Sequence, residues 1–346
     1  MGREIDIAFA LLRGALDGTA VSIGKLETAQ WWSLFRLMQQ NHVAALASEV
    51  FSRLTEEEKP SREVLIPWLS ERQKAKNWYL RQCEVQQEII DLMQGNGIET
   101  LVLKGTHLAQ FYPQTELREF GDLDLYFYDK HDEADALATS QLKVTVSNQA
   151  HHHTKYNYHG VTVESHYDFI NSHTPRSNRR YESLLKELAP SPTFEVLFLL
   201  RHMACHFAAS RITLRDVVDW HVLTKAVGKS VEWNVAETAI EESGMEKFVT
   251  ILNNIASRRL GSQVDLESQC DRNMANRIEH NIVYGNEKLS SGENSDGFNR
   301  LAWKIKRYRS NRWKHPLVFC HDSSLSLLFS SLTSHAMKPQ SILHKM

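Results

Sequence analysis

Apolar residues recur at helical spacing throughout the first part of the chain. Ile5, Phe9, Leu12 and Leu16 fall on one stripe, as do Leu34, Leu37 and Met38. Pro60-Ser61 opens a long helical segment that ends at Gly95-Asn96-Gly97, with Ser61 as its expected cap and Pro67 as a break or part of a first turn. Trp31-Trp32 is expected in a core, because large aromatics dominate cores. The period then shortens. Leu101 to Leu103 reads as a buried strand, Thr106 to Phe111 as a short helix stopped by Pro113, and Gly121 to Tyr128 as a second strand. His131 to Gln141 is helical in pattern, and Leu142 to Val146 predicts a short strand. Two alternating runs follow, Ala150 to Tyr158 and Val161 to Ile170, joined by His159-Gly160. A two-residue connection with glycine predicts a tight hairpin, which sets Tyr158 opposite Val161, Lys155 opposite Glu164 and His153 opposite His166.

Beyond Pro190-Ser191-Pro192 the helical period returns. Thr193 is expected to cap FEVLFLLRHMACHFAASR, and LRDVVDWHVLTKAV forms a second helix. Further helices are expected between residues 229 and 288, a loop at 290–297, and a docked apolar tail. The pattern therefore divides the chain into an N-terminal helical region, 1–96, a mixed core, 97–172, and a C-terminal helical region, 173–346. The fold class is α+β.

Composition narrows the reading. With 40 basic and 42 acidic residues among 346, no global charge forces a nucleic-acid or membrane partner. No apolar run is long enough to span a bilayer, and the amphipathic start MGREIDIAFALLRGAL is not a signal peptide. Cys83, Cys205, Cys270 and Cys320 are scattered without C-x-x-C spacing, which suits a reducing cytoplasm.

The candidate chemistry lies in the mixed core. Asp122 and Asp124 share one face of their strand, with Leu123 and Leu125 on the other. Two crowded carboxylates repel, and Mg²⁺ or Mn²⁺ between oxygen ligands relieves the repulsion. Without the cation, that repulsion is expected to cost stability near neutral pH, so Asp124→Asn should be harmless to the metal-free fold. The hairpin register puts Glu164 on a polar face with Thr162 and His166. A glycine turn before a helix start, Lys104-Gly105-Thr106, offers amides to a phosphate, and Lys104 and Arg118 flank it.

These residues resemble the nucleotidyltransferase fold of the DNA polymerase β-like superfamily, which pairs a strand-Gly-Ser-helix turn with an Asp-x-Asp strand and a third carboxylate. With Lys before the Gly, Tyr-Pro after the helix and Arg ahead of the aspartates, the chain is similar to a bacterial family of uncharacterised nucleotidyltransferases. The likeness is firmest over residues 101–169 and weaker over 193–225. Thr106 replaces the usual Gly or Ser, and the spacing from Gly105 to Asp122 is long. The resemblance implies transfer of a nucleoside monophosphate from an NTP to an acceptor hydroxyl on a small molecule, protein or RNA. Asp122, Asp124 and Glu164 would hold two metal ions, and Lys104, Gly105, Thr106, Arg118 and Gly121 would meet the nucleotide. An RNA- or protein-modifying toxin of the same superfamily and a non-catalytic nucleotide-binding pseudoenzyme are the alternatives.

Other residues carry weaker signals. Lys155 and His166 neighbour Glu164 through the hairpin. His202 and His206 share a helix face, but the Glu of H-E-x-x-H is absent, which disfavours a metalloprotease. Arg215 and Asp216 suit either interhelical pairing or substrate contact. The run His151-His152-His153 is expected to be partly exposed strand, because consecutive strand residues point to opposite faces and cannot all chelate one ion; zinc binding by His153 with His159 or His166 is the sharper alternative. The basic, Trp-containing stretch 300–314 suits a solvated helix face, with nucleic-acid binding as the sharper alternative.

Overall fold

The computed structural model describes residues 2–147, 152–170, 176–264, 271–285 and 298–322. The expected loop at 290–297, the tail from Ser324 onward and His151 lie outside the described residues. The chain opens with helices α1 (Gly2–Asp17), α2 (Thr28–Gln40), α3 (Ala44–Ala47) and the long α4 (Arg62–Gly95), which runs on through Pro67. Trp31 is buried edge-on against Phe51 and Trp68, so it is core.

The middle block alternates. It contains β1 (Leu101–Val102), α5 (Gly105–Ala109), β2 (Asp122–Tyr126), α6 (His131–Leu137), β3 (His153–Tyr158) and β4 (Val161–His166). The sheet order is β1-β2-β4-β3, with β2 and β4 parallel at its centre and antiparallel neighbours on both sides. The hairpin register is the expected one: Tyr158 pairs with Val161, Lys155 with Glu164 and His153 with His166. The connection needs left-handed backbone at both turn residues, with φ of 50° at His159 and 82° at Gly160. The strand expected at Leu142 to Val146 is absent. A π-helical turn extends α6 through Leu142, and only Ser147 bridges to Lys155.

The third block is helical: α7 (Arg176–Leu188), α8 (Pro192–Ala209), α9 (Leu214–Val227), α10 (Trp233–Ser243), α11 (Glu246–Leu260), α12 (Arg272–Tyr284), α13 (Phe298–Asn311) and α14 (His315–Val318). Ser191, not Thr193, caps α8. Its hydroxyl accepts from the Phe194 amide at 3.1 Å, and Pro192 fills the first helical position, where a missing amide costs nothing. The Thr193 hydroxyl instead accepts from the Glu232 amide at 2.9 Å. No described helix is long and apolar enough to cross a membrane, and the described cysteines are free.

Two apolar clusters position the sheet. Leu123, Leu125, Val161 and Val163 pack beneath it against Val85, Ile89 and Met93 of α4 and Ala134 and Ala138 of α6. The larger cluster joins α1–α4 to α8–α12, so the first and third blocks share one core. It reaches the upper face of the sheet at Tyr126, which stacks at 4.1 Å on Phe169 below Phe194 of α8. The polar half of that face is thereby held under α8.

Candidate active site

Alternation places Asp122 and Asp124 of β2 on the same face as Glu164 and His166 of β4. Asp124 pairs in register with Glu164, and Asp122 with Thr162. Asp124 is 2% exposed, and its Oδ1 forms an ion pair with Lys104 Nζ at 3.2 Å and faces His166 Nε2 at 2.9 Å. Burial alone would raise this carboxyl, but Lys104 and His166 hold it well below the usual range. Glu164 behaves in the opposite way. Burial, then the charges of Asp124 and Asp122, raise its carboxyl, although Lys155 Nζ sits 2.8 Å from Oε1. The expectation that the carboxylates only repel is thus corrected for Asp124, which Lys104 and the facing His166 stabilise, and describes Glu164 alone.

The donor set fits a divalent cation. Asp124, Glu164 and His166 each place a ligand atom within 4.8 Å of the others, and Asp122 stands one pleat along the same face. Burial first, and then the neighbouring carboxylates, raise Glu164, and a cation between them would relieve the second of these.

The phosphate side is built differently from expectation. Lys104 holds a positive φ of 23° and Gly105 one of 45°, so the chain reverses sharply out of β1 and points the lysine back over β2. Thr106 is buried, and its hydroxyl donates to Gln86 of α4. Arg118, expected at phosphates, is 4% exposed and committed to Asp219 of α9 through two parallel bonds, Nε to Oδ1 at 2.7 Å and Nη2 to Oδ2 at 2.8 Å. Its third donor, Nη1, reaches the Gly105 carbonyl at 3.0 Å, and Tyr112 donates to the same aspartate at 2.6 Å. Arg118 therefore fixes the glycine turn to α9. Gly121 is exposed, a Cβ there would meet nothing, and its carbonyl accepts from Gln82. Trp78 donates to Phe120 and Arg215 to the Glu119 carbonyl, so the loop ahead of β2 is tied on both sides. Asp216 caps its own helix through Thr213.

Histidines line the rest of the face. His202 and His206 of α8 lie with ring centroids 4.3 Å apart, and burial, then Lys104, lowers the basicity of both. His153 falls to about 3 and His152 well below its ordinary value, in both cases through burial first and then His166. His152 precedes β3 in a bend, so strand alternation does not separate it from His153. The basic stretch packs onto the body at its end: Arg277 covers the Trp313 ring at 3.8 Å, and Lys314 is buried.

Sequence reasoning missed Asp219 and Tyr112. The one available signal for Asp219 was its helical spacing from Arg215, one turn earlier. No curated protein and no solved structure matches the chain. Residues 27–261, well over half of it, match the family described as uncharacterised nucleotidyltransferase, a span that holds β1 to β4, the paired carboxylates and the helices over them. The chain belongs to that uncharacterised nucleotidyltransferase family.

Proposed function

We propose that the protein transfers a nucleoside monophosphate from an NTP to an acceptor hydroxyl, with Asp122, Asp124 and Glu164 as ligands for two Mg²⁺ or Mn²⁺ ions. The observation that carries this reading is the in-register pairing of Asp124 with Glu164 on adjacent parallel strands, with Asp122 on the same face. When bound, the ions would acidify the acceptor hydroxyl and neutralise the departing pyrophosphate.

The chain's own groups supply the positioning. Lys104 Nζ, 3.2 Å from Asp124 Oδ1 at the glycine turn, is assigned to the triphosphate. Gly105 lets the backbone turn at positive φ, so that Lys104 overhangs β2. Arg118 acts as a positioning residue: it reaches the nucleotide only through the Gly105 carbonyl that it holds. Its carboxylate partner Asp219 keeps that guanidinium charged, aligned and away from solvent. Raised by burial and its neighbours, Glu164 keeps a proton-accepting oxygen on the face until a cation arrives.

The test is incubation of the protein with each α-labelled NTP, Mg²⁺ and a cell extract, in parallel with Asp122→Asn. Label should appear on one class of acceptor with the wild type and vanish with the variant. Label on RNA or protein would select the toxin-like alternative. Tight NTP binding without any labelled product would select the pseudoenzyme. Equal labelling by both proteins would remove the carboxylates from the reaction.

A further inference from the structure

Beside the carboxylates, three imidazoles gather at the point where β3 begins. The ring centroids of His152 and His153 are 4.6 Å apart, those of His153 and His166 5.1 Å, and those of His152 and His166 5.4 Å. One nitrogen from each ring lies within 4.8 Å of one from each of the others. We propose that His152, His153 and His166 form a transition-metal site of the zinc class, adjoining the carboxylate site.

Three observations support it. First, the triangle has the right size. Tetrahedral nitrogens at about 2.0–2.1 Å from one ion place their ring centroids roughly 5 Å apart. Second, Nδ1 of His152, of His153 and of His166 is in each case buried without a hydrogen-bond partner among the described residues. A buried polar atom left unpaired is costly, and one ion answers all three. Third, the opposite edges of two of the rings are already oriented. Nε2 of His166 faces Asp124 Oδ1 at 2.9 Å, and Nε2 of His153 faces Glu164 Oε1 at 3.5 Å. A carboxylate behind a ligating imidazole fixes its tautomer and raises its basicity.

The ligand chemistry separates this site from the one for Mg²⁺. Imidazole selects zinc-like ions, whereas the all-oxygen set of Asp122, Asp124 and Glu164 suits Mg²⁺ or Mn²⁺. Three protein ligands leave a fourth tetrahedral position open, toward water or an acceptor group. Asp124 and Glu164 then serve both sites, as ligands in one and as orienting partners in the other. The proposal stands on nitrogen geometry and does not depend on nucleotidyl transfer.

The test uses the full chain, stripped by chelator and titrated with Co²⁺ in excess Mg²⁺, with the visible spectrum as readout. One Co²⁺ per chain should bind with the intense absorption of four-coordinate, nitrogen-ligated cobalt. His152→Ala should weaken that binding by about a hundredfold or more, since even outer-shell changes cost 10–100-fold. Asp122→Asn should bind Co²⁺ as the wild type does. Should His152→Ala not fold, His153→Gln tests the same ligand set. No Co²⁺ uptake by the wild type in excess Mg²⁺ overturns the site. So does wild-type affinity in the histidine variant, or a loss in Asp122→Asn as large as in the histidine variant. A positive result would stand even if no NTP were ever turned over.

Discussion

The two faces of the β2–β4 pair are built from alternate residues of the same strands, yet they are held by different means. Below, Leu123, Leu125, Val161 and Val163 are 0% exposed and pack in an apolar cluster with α4 and α6. Above, Asp122, Asp124, Glu164 and His166 meet Lys104, Lys155 and a group of histidines. The lower face is non-directional burial, stable at any pH at which the chain folds. The upper face is a balance of charges, in which Asp124 is stabilised by its neighbours and Glu164 is not. Stability is thus concentrated on one face and chemistry on the other, a division that functional sites commonly show.

The comparison is broken most severely at Asp122. Asp122→Asn removes a proposed metal ligand that is not buried in the charge cluster. It should cut transfer by at least about a thousandfold, about 4 kcal/mol of barrier, with a melting temperature close to wild type. A rate within tenfold of wild type, measured with the labelled NTP identified above, would remove Asp122 from the site. Leu125→Ala attacks the other face. It should cost about 3 kcal/mol of stability by denaturant titration, through the cavity it leaves. Metal affinity at moderate temperature should be unchanged. A larger effect on metal binding than on stability would mean that the two faces are not independent.

Two variants sharpen the division on the phosphate side. Arg118→Met leaves Asp219 buried without its partner and should cost about 3 kcal/mol of stability. It should also weaken NTP binding, because Gly105 loses its anchor. Lys104→Ala should weaken NTP binding by about tenfold, as expected for one charge-assisted contact. Isothermal titration with NTP, beside thermal melts of both, separates the roles: equal stability loss in the two would show that Lys104 is structural as well.

What the sequence discloses follows the same line. The lower face was legible because period-two alternation in Leu123, Leu125, Val161 and Val163 is a local signal. The hairpin register was legible because His159-Gly160 admits few turn geometries. The parallel pairing of β2 with β4 was not, since it joins segments that no turn connects. Arg118 was misassigned because its partner, Asp219, lies 101 residues away, and an arginine beside a glycine turn looks the same whether it binds phosphate or protein. The alternation rule counted against the run His151-His152-His153 as one metal site, but it applies only inside a strand, whereas His152 sits in the bend before one. At α8, Thr193 has the chemistry of a cap, but Pro192 at the first helical position hands that role to Ser191.

The smallest effect concerns the two paired carboxylates, and its sign is diagnostic. Asp124 is depressed in the fold, so its contribution is present above the unfolded carboxyl value, about 4, and is lost as pH falls through the folded one. Glu164 is raised, so the native state binds the extra proton. Stability is then lost as pH rises from the unfolded value, about 4, through the folded one, and the penalty is complete above it. Glu164→Gln removes that penalty together with the ion pair to Lys155, whose ammonium is about half exposed and therefore contributes little. In metal-free protein the variant should be more stable than wild type near neutral pH, by less than about 1 kcal/mol. The difference should vanish in acid, where both side chains are neutral. Adding Mg²⁺ should reverse the order, because only wild type gains binding energy from the cation. Asp124→Asn should show the opposite metal-free behaviour, losing stability at neutral pH as Lys104 and His166 lose their carboxylate. Thermal melts of the three proteins across pH, with and without Mg²⁺, decide the matter. If both variants shift stability in the same direction at neutral pH, the two carboxylates are not in the opposed electrostatic states that their surroundings impose.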